Sequence, residues 1–364
     1  MSRIVTFGEI MLRLAPEGFY RLAQVLPGSL DATFGGAEAN VAVSLCRLGK
    51  QASFISALPD NTIGDACLAS LKAHGVDTSN VVKCKGGRLG IYFLETGANQ
   101  RPSQVVYDRD GSCISTTNAA DYNWAAALKD AGWFHTTGIT PAISSTSAQA
   151  ALEGLKQAKQ AGVKTSCDLN FRKKLWKWDK SLSPNALAQK TMRTMLPYVD
   201  VVIANEEDAA DVLGIHAKGS DVHSGKLDVD AYVDVARQIV GQFPNVSKVA
   251  ITLRQSISAT HNNWGGMLYD AGQNEAFFAP LDAAGSYKPY EIRNIVDRVG
   301  GGDSFGAALI YALTTSELEN CQSAIAFAAA GSCLAHSIIG DFNYTSRSEV
   351  EALMKGSGSG RVVR

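Results

Sequence analysis

Residues 297–313 read DRVGGGDSFGAALIYAL: three consecutive glycines, then an Asp, a Ser and an apolar run with helical periodicity. Glycine is among the least favourable residues inside a helix, so three of them at a helix start call for a reason. A helix N-terminus presents unpaired N–H groups and about half a positive charge, which together attract an anion. Gly300, Gly301 and Gly302 carry no Cβ that would keep a phosphate from those N–H groups. Asp303 adds a carboxylate whose charge opposes a bound phosphate but which can take the proton of an incoming hydroxyl. An equally simple assignment makes Asp303 a first-turn carboxylate favoured by the helix dipole. Local sequence does not separate the two, and in either case the dipole is expected to depress this carboxyl's pKa. The turn is not a Walker A loop, because G-x-x-x-x-G-K-[ST] occurs nowhere in the chain. It is not a dinucleotide fingerprint either: Phe305 stands at the third glycine position, and the turn lies far from the first strand.

Outward from this turn, apolar β-branched runs alternate with helical patterns. RIVTFG (3–8), ASFISAL (52–58), GWFHTTG (132–138), VKTSCDLN (163–170), VDVVIA (199–204) and VSKVAITL (246–253) have the character of strands, while IGDACLASLKAHG (63–75) and TSAQAALEGLKQAKQAG (146–162) have that of helices. Strand and helix in alternation predict an α/β fold, a mostly parallel sheet covered by helices on both faces, with ligands beyond the carboxyl ends of the strands. One segment breaks the rhythm: GRLGIYFLETGANQRPSQVVYDRDGSCIS (87–115) alternates like two antiparallel strands around TGANQRP. With residues 10–34 it is expected to form a small projecting β-sheet, a lid inserted in a single domain spanning 1–355. The tail GSGSGRVVR (356–364) is flexible by composition.

A second glycine cluster, FGGAEANVAVSLCRLG (34–49), also opens a helix. Gly35 and Gly36 let backbone approach a ligand, and Asn40 can donate to and accept from hydroxyls. Alone, the stretch is at least as well explained as an Asn-capped, Ala-rich core helix.

The chain has 364 residues, 46% hydrophobic and 19% charged, with a formal net charge of −1. That supports a large core and offers no basic footprint for nucleic acid or acidic lipid. Cys46, Cys67, Cys84, Cys113, Cys167, Cys321 and Cys333 are scattered without a C-x-x-C, so neither a disulfide framework nor a zinc cluster is expected. His135, His261 and His336 show no metal-ligand spacing. No apolar run reaches the roughly 18 residues of a membrane span, and MSRIVTFGEIMLRLAP suits a first strand better than a secretion signal, so a cytoplasmic location is expected.

The two glycine clusters together resemble the two signatures of the ribokinase-like (PfkB) carbohydrate kinases, an N-terminal G-G-x-x-x-N helix start and a C-terminal D-x-x-G-x-G-D-x-F element. Their order, their separation of about 260 residues and the α/β rhythm extend the resemblance over nearly the whole chain. It implies a three-layer α/β/α domain, ATP-dependent phosphorylation of a sugar hydroxyl and Mg²⁺, and leaves a monovalent-cation requirement open. Carried over, Asp303 corresponds to the general base and the amides of Gly300–Asp303 to the anion hole. NEED (205–208) resembles the family's N-x-x-E, which influences Mg²⁺ and phosphate binding; Asn205 matches it, and Asp208 stands where Glu is usual, with Glu207 as the substitute. As first-turn residues, Asn205 can equally be an N-cap, with Glu206 and Glu207 simply in the first turn. On the nucleotide side, ITLRQSISATHNNWGG (251–266) corresponds to a strand and loop near ATP in which Arg254 and Ser256 replace glycines.

Two arginines suggest an acidic sugar, since a planar guanidinium suits a carboxylate. VVYDRDGS places Tyr107 and Arg109 on one face at i and i+2, and CDLNFRKK places Asn170 and Arg172 past a strand end. These stretches, with Tyr92 and Asp341, resemble the 2-keto-3-deoxygluconate kinases within the family. Fructokinases and other ketose kinases share D-x-N-x-R and form the alternative; a non-catalytic sugar-binding regulator on the same fold is the alternative from another class. ATP and a sugar acid are the expected partners, with no nucleic acid or membrane, and with a homo-oligomer formed through the exposed edges of the lid.

Overall fold

A computed structural model describes residues 3–205, 207–216 and 229–356. Its strands are β1 (Arg3–Phe7), β2 (Met11–Ala15), β3 (Asp31–Gly35), β4 (Ala52–Ile55), β5 (Ala57–Pro59), β6 (Val82–Cys84), β7 (Gly90–Glu95), β8 (Gln104–Asp108), β9 (Ala131–Thr137), β10 (Lys164–Asp168), β11 (Val201–Ala204), β12 (Lys248–Ser258), β13 (His261–Asp270), β14 (Glu275–Ala279) and β15 (Tyr290–Ile292). The main sheet runs β14-β13-β12-β11-β10-β9-β1-β4, with β15 added to β13. Every pairing from β4 to β12 is parallel, and β13 turns back antiparallel. Parallel neighbours require a crossover, which helices such as Ser145–Gln160 and Pro184–Met195 provide between β9, β10 and β11.

Such strands are buried on both faces and therefore read as unbroken apolar runs. In β11, Val202 and Ala204 join a core with Phe7, Phe134 and Ile239, while Val201 and Ile203 face Phe305 and Phe327 on the other side. The helix Gly301–Leu313 is buried from Ser304 to Ala312, so the quoted glycine turn is anchored in the core of the protein.

A separate four-stranded sheet has the order β3-β2-β7-β8. Its pairings are antiparallel, parallel and antiparallel in turn. One face buries Met11, Ala15, Tyr92 and Leu94; β8, at the edge, alternates between exposed and half-buried. The stretch 251–266 differs from expectation. Instead of a strand followed by a loop, β12 continues to Ser258 and turns directly into β13 as a long hairpin, because alternating side chains pair across it from Lys248↔Asp270 to Ser258↔His261. Glu206 and, beyond Gly356, the tail lie outside the described residues.

Candidate active site

A cleft of about 820 Å³ lies at the carboxyl ends of β10 and β11 and beside the middle of β12, walled by the small sheet and closed at its floor by residues 298–303. The three glycines differ in what they do there. Gly300 has a φ of 80°, in the left-handed region, and a Cβ on it would stand 2.4 Å from the carbonyl oxygen of Asp341. A Cβ on Gly301 would meet the His336 ring at 3.0 Å. Only at Gly302 is the space open, with nothing within 4 Å. All three glycines line the cleft, and at Gly300 and Gly301 backbone geometry and packing also exclude a side chain. Ser304 N–H donates to the Gly300 carbonyl at 2.8 Å, whereas the N–H groups of Gly302 and Asp303 find no acceptor among the described residues. These are the orphan donors of a helix start.

Asp303 is joined to the other glycine cluster. Asn40 Nδ2 donates to its Oδ2 at 2.7 Å, and Asn40 Oδ1 accepts from the Gly36 N–H at 3.2 Å. Gly36 and Asn40 line the cleft; Gly35 lies behind it, its α-carbon against the Asp341 carboxylate. The depressed pKa expected from the dipole is not found. Burial pushes the Asp303 carboxyl up to about 6, Asn40 and Arg172 pull it down, and Asp341 pushes it further up. Desolvation is the largest of these influences. Asp168, also in the cleft wall, is raised well above the usual range by burial and by the nearby Asp208 and Asp303.

The NEED segment also differs from expectation. Asn205 Oδ1 accepts from the Glu207 and Asp208 N–H groups at 2.8 and 3.0 Å. Asp208 Oδ2 accepts from the Asn205 N–H at 3.0 Å and Oδ1 from the Phe171 N–H at 2.9 Å. Asp208 is buried in the cleft lining and stitches the loops after β10 and β11, each of its oxygens accepting one backbone N–H. Glu207 is exposed at the cleft. No group of three or more His, Cys, Asp or Glu among the described residues could hold a metal ion. Mg²⁺ needs few protein ligands when phosphates and water complete its shell, and Glu207 fits that limited part.

Tyr92, Tyr107, Asn170, Arg172 and Asp341 all line the cleft. Asn170 adopts a φ of 36°, which turns the chain just past β10 and leaves Arg172 exposed at the opening. Arg109 is a correction. It sits one residue beyond the end of β8, its guanidinium is paired with Glu9, and both side chains are only 4% exposed. A buried carboxylate a hundred residues away has drawn it out of the cleft. Ser256 is also corrected: it is an exposed hairpin residue outside the cleft lining, while Arg254 is inside it.

Several site residues had not been singled out. Arg298, second in the quoted stretch, lines the cleft and donates to Asn262 Oδ1 at 2.7 Å, close enough to Arg254 for the two charges to interact. Its place next to the glycines was the available signal. Lys173 and Lys174, from CDLNFRKK, line the opening, and His336 packs under the turn. Beneath the site Glu38 Oε1 accepts from Thr137 N–H, Thr137 Oγ1 and Thr140 Oγ1 at 3.0, 2.8 and 2.8 Å, and burial pushes its carboxyl up to about 7. The cleft thus combines a raised carboxylate, open amides beside it, and cations at both ends, an arrangement suited to moving an anionic group onto a hydroxyl.

The family model described as pfkB family carbohydrate kinase matches residues 1–256. A 2-dehydro-3-deoxygalactonokinase from Haloferax volcanii is 33% identical over 359 residues, covering 99% of this chain and 98% of that one. The crystal structure of a 2-dehydro-3-deoxygluconokinase from Thermotoga maritima is 44% identical, with a TM-score of 0.87, covering 98% of this chain and 100% of that one. A PfkB family carbohydrate kinase from Listeria grayi is 32% identical, with a TM-score of 0.83, covering 97% and 99%. Among the described residues no helix is long and apolar enough to cross a membrane.

Proposed function

Since the chain belongs to the PfkB family of carbohydrate kinases and has the ribokinase-like fold, we propose that it phosphorylates the 6-hydroxyl of 2-keto-3-deoxygluconate with ATP. The observation that carries this is the carboxylate of Asp303, held by Asn40 beside the unpartnered N–H groups of Gly302 and Asp303. Those N–H groups hold the transferring phosphoryl while Asp303 accepts the proton of the attacking hydroxyl and ADP departs. Arg254 and Arg298 hold the remaining phosphates. Mg²⁺ would sit near Glu207 through water and neutralise phosphate charge. The small sheet, with Tyr92 and Tyr107, acts as a lid that excludes water, and Arg172, with Lys173 and Lys174, meets the sugar's carboxylate.

The names of the Thermotoga and Haloferax relatives support a 2-keto-3-deoxy sugar acid, and they differ in the epimer. Release of ADP across a panel of 2-keto-3-deoxygluconate, its galactonate epimer, fructose and ribose tests the proposal: the sugar acids turn over best, and better turnover of fructose would remove it. In the same panel Arg172→Ala raises KM for the acid by about 10- to 100-fold, the loss expected of a charge-assisted pair of about 1.5–3 kcal/mol, and changes KM for a neutral sugar little.

The raised Asp303 predicts the pH profile. A base must be ionised to accept a proton, so kcat/KM falls to half its plateau near pH 6, not near the ordinary carboxylate value, and continues to fall as acid is added. In Asp303→Asn, whatever activity remains lacks that limb.

A further inference from the structure

Strand β2 of the small sheet carries Arg13, only 4% exposed, whose guanidinium lies 2.5 Å from Asp297 Oδ2 and 2.9 Å from Asp341 Oδ1. A buried arginine on a strand whose other residues are all apolar is costly to desolvate unless its partners are well placed. Here each partner is tied to the glycine turn. Asp297 Oδ1 accepts from the Val299 N–H at 3.0 Å, and its Oδ2 accepts from the Gly340 N–H at 3.1 Å. The main chain of Asp341 packs on the α-carbon of Gly300, and its Oδ1 also accepts from Tyr92 Oη at 2.6 Å. One guanidinium thus joins three parts of the chain: the small sheet, the approach to the turn at 297–299, and the segment 340–341 behind it. Arg13 itself does not line the cleft.

We propose that Arg13 is a positioning residue for phosphoryl transfer: by gripping Asp297 and Asp341 it fixes Gly300, and through it the Gly302 and Asp303 amides and the Asp303 carboxylate, in register with the small sheet. This rests on the turn holding the transferring phosphoryl. Arg13 acts on the reaction only through that geometry, so its removal costs turnover, not affinity. A lysine cannot replace it, since one ammonium does not span two carboxylates as a planar fork does.

The test compares Arg13→Met, Arg13→Lys and Asp297→Asn with the wild type, each alone and combined with Asp303→Asn, using ATP and whichever sugar the wild type accepts, after melting curves establish that the variants are folded. Arg13→Met lowers kcat about 100-fold, the loss typical of a catalytic group displaced by about 1 Å, with both KM values within a few-fold of wild type. Arg13→Lys recovers only part of it. In the Asp303→Asn background the Arg13 substitutions cost little more, because residues acting as a unit are not additive. A folded Arg13→Met with wild-type kcat, or the same fractional loss in both backgrounds, overturns the inference. If Arg13→Met does not fold, Asp297→Asn, which keeps the size and an acceptor for one of the two amides, answers by the same criteria. An inactive Asp303→Asn beside a fully active Arg13→Met removes this inference alone, whereas an active Asp303→Asn removes the role of the turn as well.

Discussion

Replacing Asp303 by Asn lowers kcat by about 10³- to 10⁴-fold, the upper part of the range for a lost general base. The side chain keeps its shape and an oxygen for Asn40 Nδ2, which donates to Asp303 at 2.7 Å in the wild type, so the loss is one of proton acceptance and not of architecture. Stability moves the other way. The carboxyl's pKa is raised from 3.8 to about 6 by burial, so the folded protein holds this proton more tightly than the unfolded chain does. Its contribution to stability is fully present below the unfolded value and is lost as pH rises through 6. An Asn carries no charge to desolvate, so Asp303→Asn melts above the wild type at pH 7–8 and the difference disappears toward pH 4. Measuring kcat and the melting temperature on one preparation checks both parts. A variant that loses activity and stability together at pH 8 would point to a structural role for Asp303.

The second large effect separates two adjacent glycines. Gly300→Ala places a side chain at a φ of 80° and 2.4 Å from the Asp341 carbonyl oxygen. The left-handed conformation alone costs about 1–2 kcal/mol, and the clash adds to it, so the melting temperature falls by several degrees with activity lost alongside. At Gly302 an added Cβ has nothing within 4 Å. The branched side chain of Gly302→Val is expected to crowd the cleft at the turn whose amides are proposed to hold the phosphoryl. It therefore leaves the melting temperature nearly unchanged and lowers kcat by about 10²- to 10³-fold, the range seen when one such donor is lost. Equal melting losses at the two positions, or an active Gly302→Val, would contradict this division of roles.

The fold was legible in the sequence where its physics is local. Parallel strands covered on both faces must be apolar throughout, as VVIA at 201–204 is, and the antiparallel pair β7 and β8 showed itself by alternation around a turn-rich stretch. The site was legible in its residue types. Asn40 and Asp303, 263 positions apart, were each singled out from a glycine-led helix start, and the structure brings them within hydrogen-bond distance.

What the sequence did not reveal depends on partners distant in the chain. Arg109 looked free to enter the cleft because nothing local shows that Glu9 awaits it, and nothing local marks Arg13 as a residue that Asp297 and Asp341 bury. Asp208 stands at a motif position, and nothing local shows that its two oxygens accept amides from two different loops. The pKa of Asp303 follows the same pattern. A dipole can be inferred from a helix start, whereas the desolvation that raises this carboxyl is set by the assembled cleft.

A crystal structure with ADP, Mg²⁺, fluoroaluminate and 2-keto-3-deoxygluconate tests the role of the turn most directly. The predicted result has fluoroaluminate within hydrogen-bond reach of the Gly302 and Asp303 amides, about 2.7–3.1 Å, and the 6-hydroxyl of the sugar at a similar distance from the Asp303 carboxylate. Fluoroaluminate held elsewhere in the cleft with the turn empty, or the 6-hydroxyl bonded to a group other than Asp303, would contradict it.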